Sequence, residues 1–304
     1  MENYFRVNVN KYVSDMSFDV VRPASVDNPK DQSVMFLSKK NSDRALQLEH
    51  DLQSVKQCLV FWPEGVDFSE VTANNHAIAV CENPRKSFCM FFRDNQINNL
   101  PLPSAYCVQN GVFIEAGAII AGDCTIFPGA YIGKDVVIGK CSWIGAGVKL
   151  LGRISIGKNV VIRENTVIGA DGLTTDRDEE GRALTIPQFG GVTIEDDVQI
   201  GANVVIARGA IDDTIIGRGA KVDSSSFISH NVRIGEDTFI VGETIMFGSS
   251  STGKRVLISG NSLVSNYVHI GDDTILGLAS AATKSIDSNK IAYGSPAKVA
   301  RDRG

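Results

Sequence analysis

The stretch IGKDVVIGKCSWIGAG, residues 132–147, places an isoleucine at every sixth position and a glycine directly after each one. A period of six fits neither a helix face, with 3.6 residues per turn, nor the simple alternation of a strand. It indicates a coil of short strands joined by tight corners, in which every sixth side chain points to a common axis. Internal repeats of this kind decide the architecture of a chain.

The period of six continues over most of the chain. Apolar side chains keep it through residues 114–168 and 194–206, and again through 216–282 after one step of ten residues. Of these 25 positions, only Thr252 and Ala282 are not large and apolar. With three units per coil, the repeat predicts about eight coils. Each buried aliphatic side chain would contribute roughly 1.5–3 kcal/mol to stability.

The chain divides into regions with different hydrophobic patterns. Residues 1–105 predict a small α/β domain: VMFL (34–37), QCLVFW (57–62) and HAIAVC (76–81) are typical of strands, and residues 42–54 and the stretch after Asn83-Pro84 are typical of helices. NNLPLPSAY (98–106) is typical of a linker. We expect a β-helix over 106–285, interrupted by an extruded loop at 170–191, and a C-terminal tail over 286–304. The fold class is therefore mainly β.

Composition excludes several kinds of function. The net charge of −5 gives no electrostatic footprint for nucleic acid. No apolar run approaches the roughly 18 residues of a transmembrane helix, and the N-terminus lacks the features of a signal peptide, so we expect a cytoplasmic protein. The four histidines are scattered, and the acidic run within 170–191 is more typical of a solvated loop tip, so no metal site is predicted.

His230 is the residue that the repeat does not explain. It lies two positions after the inward-pointing Ile228, where other units place Lys, Arg, Asp, Glu or Gly, so its imidazole should face outward. Gly248 follows 18 residues later, on the same corner of the next coil. An imidazole base beside a glycine amide that holds an oxyanion suits acyl transfer. The alternative is an inert surface histidine.

Several segments resemble the hexapeptide acyltransferase superfamily. ENTVIGADG, the run from Ile186 to Asp237, and the N-terminal stretches SVMFLSKK and ENPRKSF closely resemble its UDP-3-O-acylglucosamine N-acyltransferase family of lipid A synthesis, over roughly residues 20–295. The resemblance implies a left-handed parallel β-helix, a homotrimer with active sites between subunits, and acyl transfer from a thioester to the amine of a nucleotide-linked amino sugar. It implies no tightly bound cofactor.

The resemblance also implies roles for particular residues. His230 matches the general base, Gly248 the residue whose amide faces the oxyanion, and Asp223 an acidic residue near the base. Candidate substrate-binding residues, matched or altered, are Phe36, Lys39, Tyr267 and His269. Phe36 is kept in the uridine pocket, whereas Lys39 replaces an asparagine and Ser42 a tyrosine. The family's second histidine falls at Tyr267, two residues from His269.

The sequence of the C-terminal residues gives an indication of which acyl donor is used. YGSPAKVARDRG resembles the tail of coenzyme A-dependent sugar acetyltransferases, where Lys298 would approach the phosphates of coenzyme A; a solvated terminal lysine is the alternative. This favours acyl-coenzyme A slightly over acyl carrier protein as co-substrate. The altered uridine pocket leaves a second hypothesis open, a non-catalytic sugar-nucleotide-binding or scaffold β-helix. The sequence specifies neither the base, the sugar, the acylated position nor the acyl chain length.

Overall fold

The computed structural model describes residues 3–99 and 105–303, which form two compact units. The N-terminal unit comprises the described residues up to Asn99 together with Leu173–Phe189. The second unit comprises residues 105–172 and 190–303. Most of the predicted linker, residues 100–104, lies outside the described residues.

A four-stranded parallel sheet forms the centre of the N-terminal unit. The strands of this unit before residue 100 are Val7–Asn8 (β1), Asp19–Val20 (β2), Arg22–Pro23 (β3), Ser33–Phe36 (β4), Leu59–Pro63 (β5) and Ala77–Cys81 (β6), and its helices are Ala45–Leu52 (α1), Glu70–Asn75 (α2) and Pro84–Asp94 (α3). The sheet order is β3-β4-β5-β6, and β1 pairs with β2 separately. β5 is buried along its whole length, as a central parallel strand must be.

The capping of α3 and the buried face of α1 both follow from the local sequence. α3 begins as predicted, with the side chain of Asn83 accepting a hydrogen bond from Lys86 N and Pro84 in the first turn. α1 buries Leu48 and Leu52, which are four residues apart and share one face. Leu46 is 80% exposed, because the step of two residues from Leu46 to Leu48 leads to the opposite side of a helix.

Short strands at a period of six build the second unit. They are Tyr106–Gln109 (β7), Val112–Glu115 (β8), Ile119–Ile120 (β9), Thr125–Ile126 (β10), Tyr131–Ile132 (β11), Val136–Ile138 (β12), Trp143–Ile144 (β13), Lys149–Leu150 (β14), Ile154–Ile156 (β15), Val161–Ile162 (β16), Val167–Ala170 (β17), Val192–Ile194 (β20), Gln199–Ile200 (β21), Val205–Ala207 (β22), Thr214–Ile216 (β23), Lys221–Val222 (β24), Phe227–Ile228 (β25), Arg233–Ile234 (β26), Phe239–Ile240 (β27), Ile245–Met246 (β28), Ser251–Thr252 (β29), Leu257–Ile258 (β30), Leu263–Val264 (β31), His269–Ile270 (β32), Ile275–Leu276 (β33), Ala281–Ala282 (β34), Lys290–Tyr293 (β35) and Lys298–Asp302 (β36). Two further strands, Thr175–Arg177 (β18) and Ala183–Thr185 (β19), belong to the N-terminal unit.

Successive strands enter three sheets in turn, so each coil gives one strand to each sheet. Sheet A contains β7, β8, β11, β14, β17, β22, β25, β28, β31 and β34; sheet B contains β9, β12, β15, β20, β23, β26, β29 and β32; sheet C contains β10, β13, β16, β21, β24, β27, β30, β33, β35 and β36. Neighbours are parallel, except that β7 and β36 pair antiparallel with β8 and β35. The predicted parallel β-helix is confirmed. We call its edges the A–B, B–C and C–A corners, after the sheets that the chain joins there.

The predicted inward side chains form one continuous core along the β-helix axis. Isoleucines, valines and leucines from every coil are buried in it, and Ala282 at 1% exposure continues it. Thr252 is 5% exposed, and its Oγ1 accepts a hydrogen bond of 3.0 Å from the N–H of Gly235. A polar side chain therefore fits this core because its hydroxyl has a partner.

Two domain boundaries differ from those expected. We expected residues 170–191 to be a loop of the β-helix, but Leu173–Phe189 belongs to the N-terminal unit and contains the antiparallel pair β18–β19. Residues 286–304 were expected to be a tail. Instead Ile286 bridges Ile270, and β35 extends sheet C beside β33. The six-residue period ends near Ala282, but backbone hydrogen bonds continue the sheet without it.

Candidate active site

His230 lies at the A–B corner, just after β25. The strands β17, β22, β25 and β28 are consecutive neighbours in sheet A, so the residues that follow them are stacked on this corner. Both interruptions of the repeat begin here: the 170–191 segment follows β17, and the ten-residue step follows β22. The regular scaffold is therefore altered twice within the coils next to His230.

The imidazole of His230 lies between two glycines. A methyl group added to Gly172 would lie 2.6 Å from Cβ and 2.9 Å from Cδ2 of His230. A methyl group added to Gly248 would lie 2.6 Å from Nε2 and 2.7 Å from Cε1. Such separations are shorter than van der Waals contact, so any larger residue at either position would displace the ring or itself. Nε2 is the ring atom that faces Gly248.

Asn231 occupies the opposite end of the imidazole. Its Oδ1 lies 3.0 Å from Nδ1 of His230 and accepts a 3.0 Å hydrogen bond from the N–H of Ala210. Its Nδ2 donates to the carbonyl of Asp212 at 2.8 Å, and its own N–H donates to Oγ1 of Thr214 at 2.9 Å. Asn231 therefore joins the histidine to the lengthened segment between β22 and β23.

The backbone N–H groups at the position of Gly248 in the six-residue unit are of two kinds, and among the described residues those of Gly122, Lys140 and Gly260 have no hydrogen bond. Five amides at the same position of the six-residue unit donate to a carboxylate of a neighbouring coil, at 2.7–3.2 Å; they are those of Lys134, Lys158, Arg218, Gly242 and Lys254. Within the described part of the chain, no hydrogen bond of the Gly248 N–H is found. Gly248 therefore belongs to the kind without a hydrogen bond, and its N–H, on the residue whose Cβ position lies 2.6 Å from Nε2 of His230, is available to an oxyanion.

Two ion pairs hold the irregular segments at this corner. Arg208, which is buried, contacts Oδ1 of Asp171 through Nη2 at 2.6 Å. Arg153 makes two contacts with Asp213, at 2.6 and 3.1 Å. Burial by itself would raise the pKa of Asp213, but hydrogen bonds from Arg153 and from the N–H of Gly191 outweigh it, so the pKa lies below its usual value.

Asp223 does not lie beside His230 within one chain. It follows β24 on the C–A corner, and sheet A separates that corner from the one that carries His230. Its carboxylate accepts hydrogen bonds from its neighbour Ser224 N and from Gly242 N, at 2.7 and 3.2 Å. The side chain that contacts the imidazole here is Asn231, because the chain turns His230 and Asp223 onto different edges.

Tyr267 and His269 lie near the corner in different settings. Tyr267 is 70% exposed on the A–B corner, and its N–H donates to the carbonyl of Gly248 at 3.3 Å. His269 lies on the outer face of sheet B, where Nδ1 is 2.9 Å from Oγ of Ser251. The structure thus stacks Tyr267 in the next coil after Gly248 and places His269 on the adjoining face.

The remaining predicted site residues lie elsewhere. Phe36 and Lys39 belong to the N-terminal unit, where the Phe36 ring packs against Phe88 with centroids 5.0 Å apart and Lys39 begins a short 3₁₀ turn on the surface. Lys298 is exposed at the start of β36, the edge strand of sheet C. Among residues 3–99 and 105–303, no group of His, Cys, Asp and Glu side chains is arranged to hold a metal ion.

Sequence reasoning missed several residues of this corner: Asp171, Gly172, Arg208, Asp213 and Asn231. One signal pointed to two of them, Arg208 and Asp213. The step of ten residues between Ile206 and Ile216 adds four residues to a unit of six, directly before the coil of His230. An insertion that recurs on one corner marks where a repeat scaffold carries its special contacts.

Comparison with known proteins agrees with this architecture. A model of the family described as "Bacterial transferase hexapeptide (six repeats)" matches residues 135–170. Residues 135–170 are thus similar to the repeat of that family. This confirms the interpretation of the period of six, and the matched residues contain β12 to β17.

Curated relatives and solved structures extend the match. The chain is 40% identical over 161 residues to UDP-3-O-acylglucosamine N-acyltransferase of Coxiella burnetii, covering 45% of this chain and 47% of that protein. It is 45% identical over 112 residues to the protein of that name from Ectopseudomonas mendocina, covering 37% of this chain and 32% of that one. The crystal structure of Francisella novicida UDP-N-acetylglucosamine acyltransferase aligns with a TM-score of 0.59 at 21% identity, over 64% of this chain and 70% of that chain.

These relatives confirm the resemblance drawn from the sequence, and the solved structure shows the shared fold. The chain spans about half the length of the Coxiella burnetii relative that it matches. In the described part of the chain, no helix is long and apolar enough to cross a membrane.

Proposed function

We propose that the protein is an N-acyltransferase that moves an acyl group from a thioester to the amine of a nucleotide-linked amino sugar in lipid A or surface-glycan synthesis. The observation that carries the proposal is Nε2 of His230 beside the backbone of Gly248, whose N–H has no carboxylate partner among the described residues. The curated relatives named UDP-3-O-acylglucosamine N-acyltransferase support this reaction class.

The proposed reaction needs a base and an oxyanion donor. The sugar amine attacks the carbonyl carbon of the thioester, and Nε2 of His230 accepts a proton from the amine as the C–N bond forms. The negative charge on the carbonyl oxygen is held by the N–H of Gly248. Collapse of the tetrahedral intermediate breaks the C–S bond, and the imidazolium returns its proton to the thiolate. An amide and a free thiol leave, and no tightly bound cofactor takes part.

The surface of the β-helix supports a homotrimer. Near His230 the outward row of sheet A is apolar, formed by Val205, Phe227, Ile245 and Leu263. The corresponding row of sheet B is mostly polar, formed by Ile215, Arg233, Ser251 and His269. A threefold arrangement would bury the apolar sheet A at its axis.

That arrangement also explains the position of Asp223. With sheet A facing the axis, the A–B corner of one copy meets the C–A corner of the next. Asp223 of the neighbouring copy would then approach His230, although the two residues lie on different edges of one chain. The proposed active site is therefore completed by a second subunit.

The substrate sites are assigned more broadly. Phe36 and Lys39 would contribute to binding the nucleotide on the N-terminal unit, with Lys39 supplying a positive charge for phosphate. Tyr267 or His269 would contact the sugar or the acyl donor near the A–B corner. Lys298, exposed on the edge strand β36, would meet the phosphates of coenzyme A.

The central test is substitution of His230. His230→Ala should lower kcat for thiol release by about 10²–10⁴-fold, because proton transfer loses its base. The matched control is His50→Ala, which removes an exposed histidine of the N-terminal unit and should leave turnover unchanged. Thiol release would be screened with acyl-coenzyme A and acyl carrier protein donors against a panel of nucleotide-linked amino sugars. Turnover retained by a folded His230→Ala variant would overturn the assignment.

The donor is tested separately. Calorimetric titration with coenzyme A and with acyl carrier protein should show micromolar binding for the true donor only, and the proposal slightly favours coenzyme A. Nucleotide binding without thiol release from any donor would support a non-catalytic sugar-nucleotide-binding protein instead.

A further inference from the structure

We infer that Asn231 is a positioning residue that holds His230 as the Nδ1–H tautomer, so that the Nε2 lone pair faces Gly248. The inference rests on the proposed function for its catalytic meaning. The tautomer itself is a property of the protein and is measured without any substrate. Asn231 would act through the histidine and touch no reacting atom.

The orientation of the Asn231 amide follows from two backbone contacts. Ala210 offers an N–H to Oδ1 at 3.0 Å, and Asp212 offers a carbonyl to Nδ2 at 2.8 Å. Exchanging the oxygen and nitrogen would set N–H against N–H and oxygen against oxygen. The atom that faces His230 is therefore a carbonyl oxygen, which can only accept.

The tautomer of the histidine follows from that oxygen. Nδ1 of His230 lies 3.0 Å from Oδ1 of Asn231, so Nδ1 must carry the hydrogen. A neutral imidazole has one N–H, which leaves Nε2 with a lone pair. Nε2 is the ring atom nearest to the position that a Gly248 side chain would occupy. The base is thus presented on the side where the oxyanion donor lies.

The lengthened segment of the repeat supplies the clamp on Asn231. Ala210 and Asp212 both lie in the step of ten residues between Ile206 and Ile216, which is four residues longer than a regular unit. Asn231 itself has φ of +60°, a left-handed conformation that asparagine tolerates better than most side chains. The residue type, its backbone conformation and the contacts from the lengthened segment therefore all fix the orientation of the amide oxygen.

The tautomer is tested by ¹⁵N NMR of the intact protein labelled at histidine, with His230→Gln identifying the resonances of His230. At about pH 8.5, above the ordinary histidine range near 6.5, wild type should show a protonated Nδ1 and an unprotonated Nε2. Asn231→Gly suits the left-handed backbone and removes the amide, and it should show a mixture of tautomers. Asn231→Asp keeps an oxygen acceptor and should restore the Nδ1–H signature.

Kinetics give the second readout. Asn231→Gly should lower kcat by about 10²-fold with KM changed less than about twofold, because the base loses its orientation. The matched control is Asn159→Gly, which makes the same change at a left-handed asparagine of the B–C corner and should leave both constants unchanged.

The outcomes separate this inference from the proposed function. A wild-type His230 that carries its proton on Nε2, or an Asn231→Gly variant with unchanged tautomer, would overturn the inference whatever the activity. The expected tautomer in a protein that releases thiol from no donor would support the inference and contradict the proposed function. If Asn231→Gly fails to fold, the wild-type spectrum alone decides.

Discussion

The A–B and B–C corners are built from the same six-residue unit, but the A–B corner places an imidazole against a glycine. On the B–C corner the amides of Lys158, Arg218 and Lys254 each donate to a carboxylate from a neighbouring coil, at 2.7–2.8 Å. On the A–B corner the amide of Gly248 has no such acceptor among the described residues, and the imidazole of His230 lies against the position that a Gly248 side chain would occupy. Amides without an acceptor among the described residues also occur on the B–C corner, at Gly122 and Lys140, so the candidate active site is distinguished by the base that lies next to such a donor.

The two corners also differ in what the added chain length does. The B–C corner has ion pairs between successive coils, such as Glu236 with Arg218 and Lys254, and needs no extra residues. The A–B corner contains both interruptions of the repeat, and they contribute Gly172 and the clamp on Asn231. Irregular backbone is concentrated where one side chain must be oriented.

The largest effect on activity that would test the difference between the two corners is expected from Gly248→Ala. The new Cβ would lie 2.6 Å from Nε2 of His230, so the ring or the amide must move. We expect kcat for thiol release to fall by about 10²–10³-fold. The matched control is Gly122→Ala, at the same position of a unit on the B–C corner, where a Cβ meets no atom within 4 Å. Equal activity of the two variants would mean that the A–B corner is not the active site.

The fold was predictable because it depends on a simple repeat. One apolar side chain in six is enough to define the strands, the corners and the core, and even Thr252 keeps its place in the core. The ends were less predictable. Ile286 and β35 continue the sheets through backbone hydrogen bonds, which any sequence makes. The grouping of Leu173–Phe189 with the N-terminal unit depends on long-range packing that no local pattern encodes.

The site was predictable only in part. The frame placed His230 and Gly248 on one corner in adjacent coils, and the structure brings them together. The same frame places Asp223 one unit before His230, and therefore on another edge of the chain. It did not reveal Asn231, because the partners of that side chain come from an insertion whose course the repeat does not determine.

A smaller effect, on stability, is expected from Asp213→Asn at the A–B corner. The side chain of Asp213 is 21% exposed and accepts hydrogen bonds from Arg153, Gly191 N and Thr193. Loss of its charge should cost about 1–3 kcal/mol of unfolding free energy at pH 7. Thermal unfolding of wild type and variant would measure it.

The contribution of Asp213 to the free energy of unfolding depends on pH, and the sign of this dependence follows from the direction of its pKa shift. Because the pKa of Asp213 is lower in the folded state, its stabilisation is complete above the ordinary aspartate range near 4 and is lost as the pH falls through that range and below it. The difference between wild type and Asp213→Asn should therefore shrink from pH 7 towards about pH 3. A constant difference at both pH values would show that packing, not charge, explains the loss.

The smallest effect is expected on the regular corner, from Asp272→Asn. Oδ1 of Asp272 accepts the N–H of Lys254 at 2.8 Å, and an asparagine oxygen in the same place would still accept it. Only the charge is lost at a partly exposed site, so the unfolding free energy should fall by about 0.5 kcal/mol or less. Thiol release should be unchanged, because Asp272 and Lys254 lie on the B–C corner, away from His230. A fall in kcat without a change in thermal stability would contradict the division between the two corners, since it would require the B–C corner to act on His230 through the core.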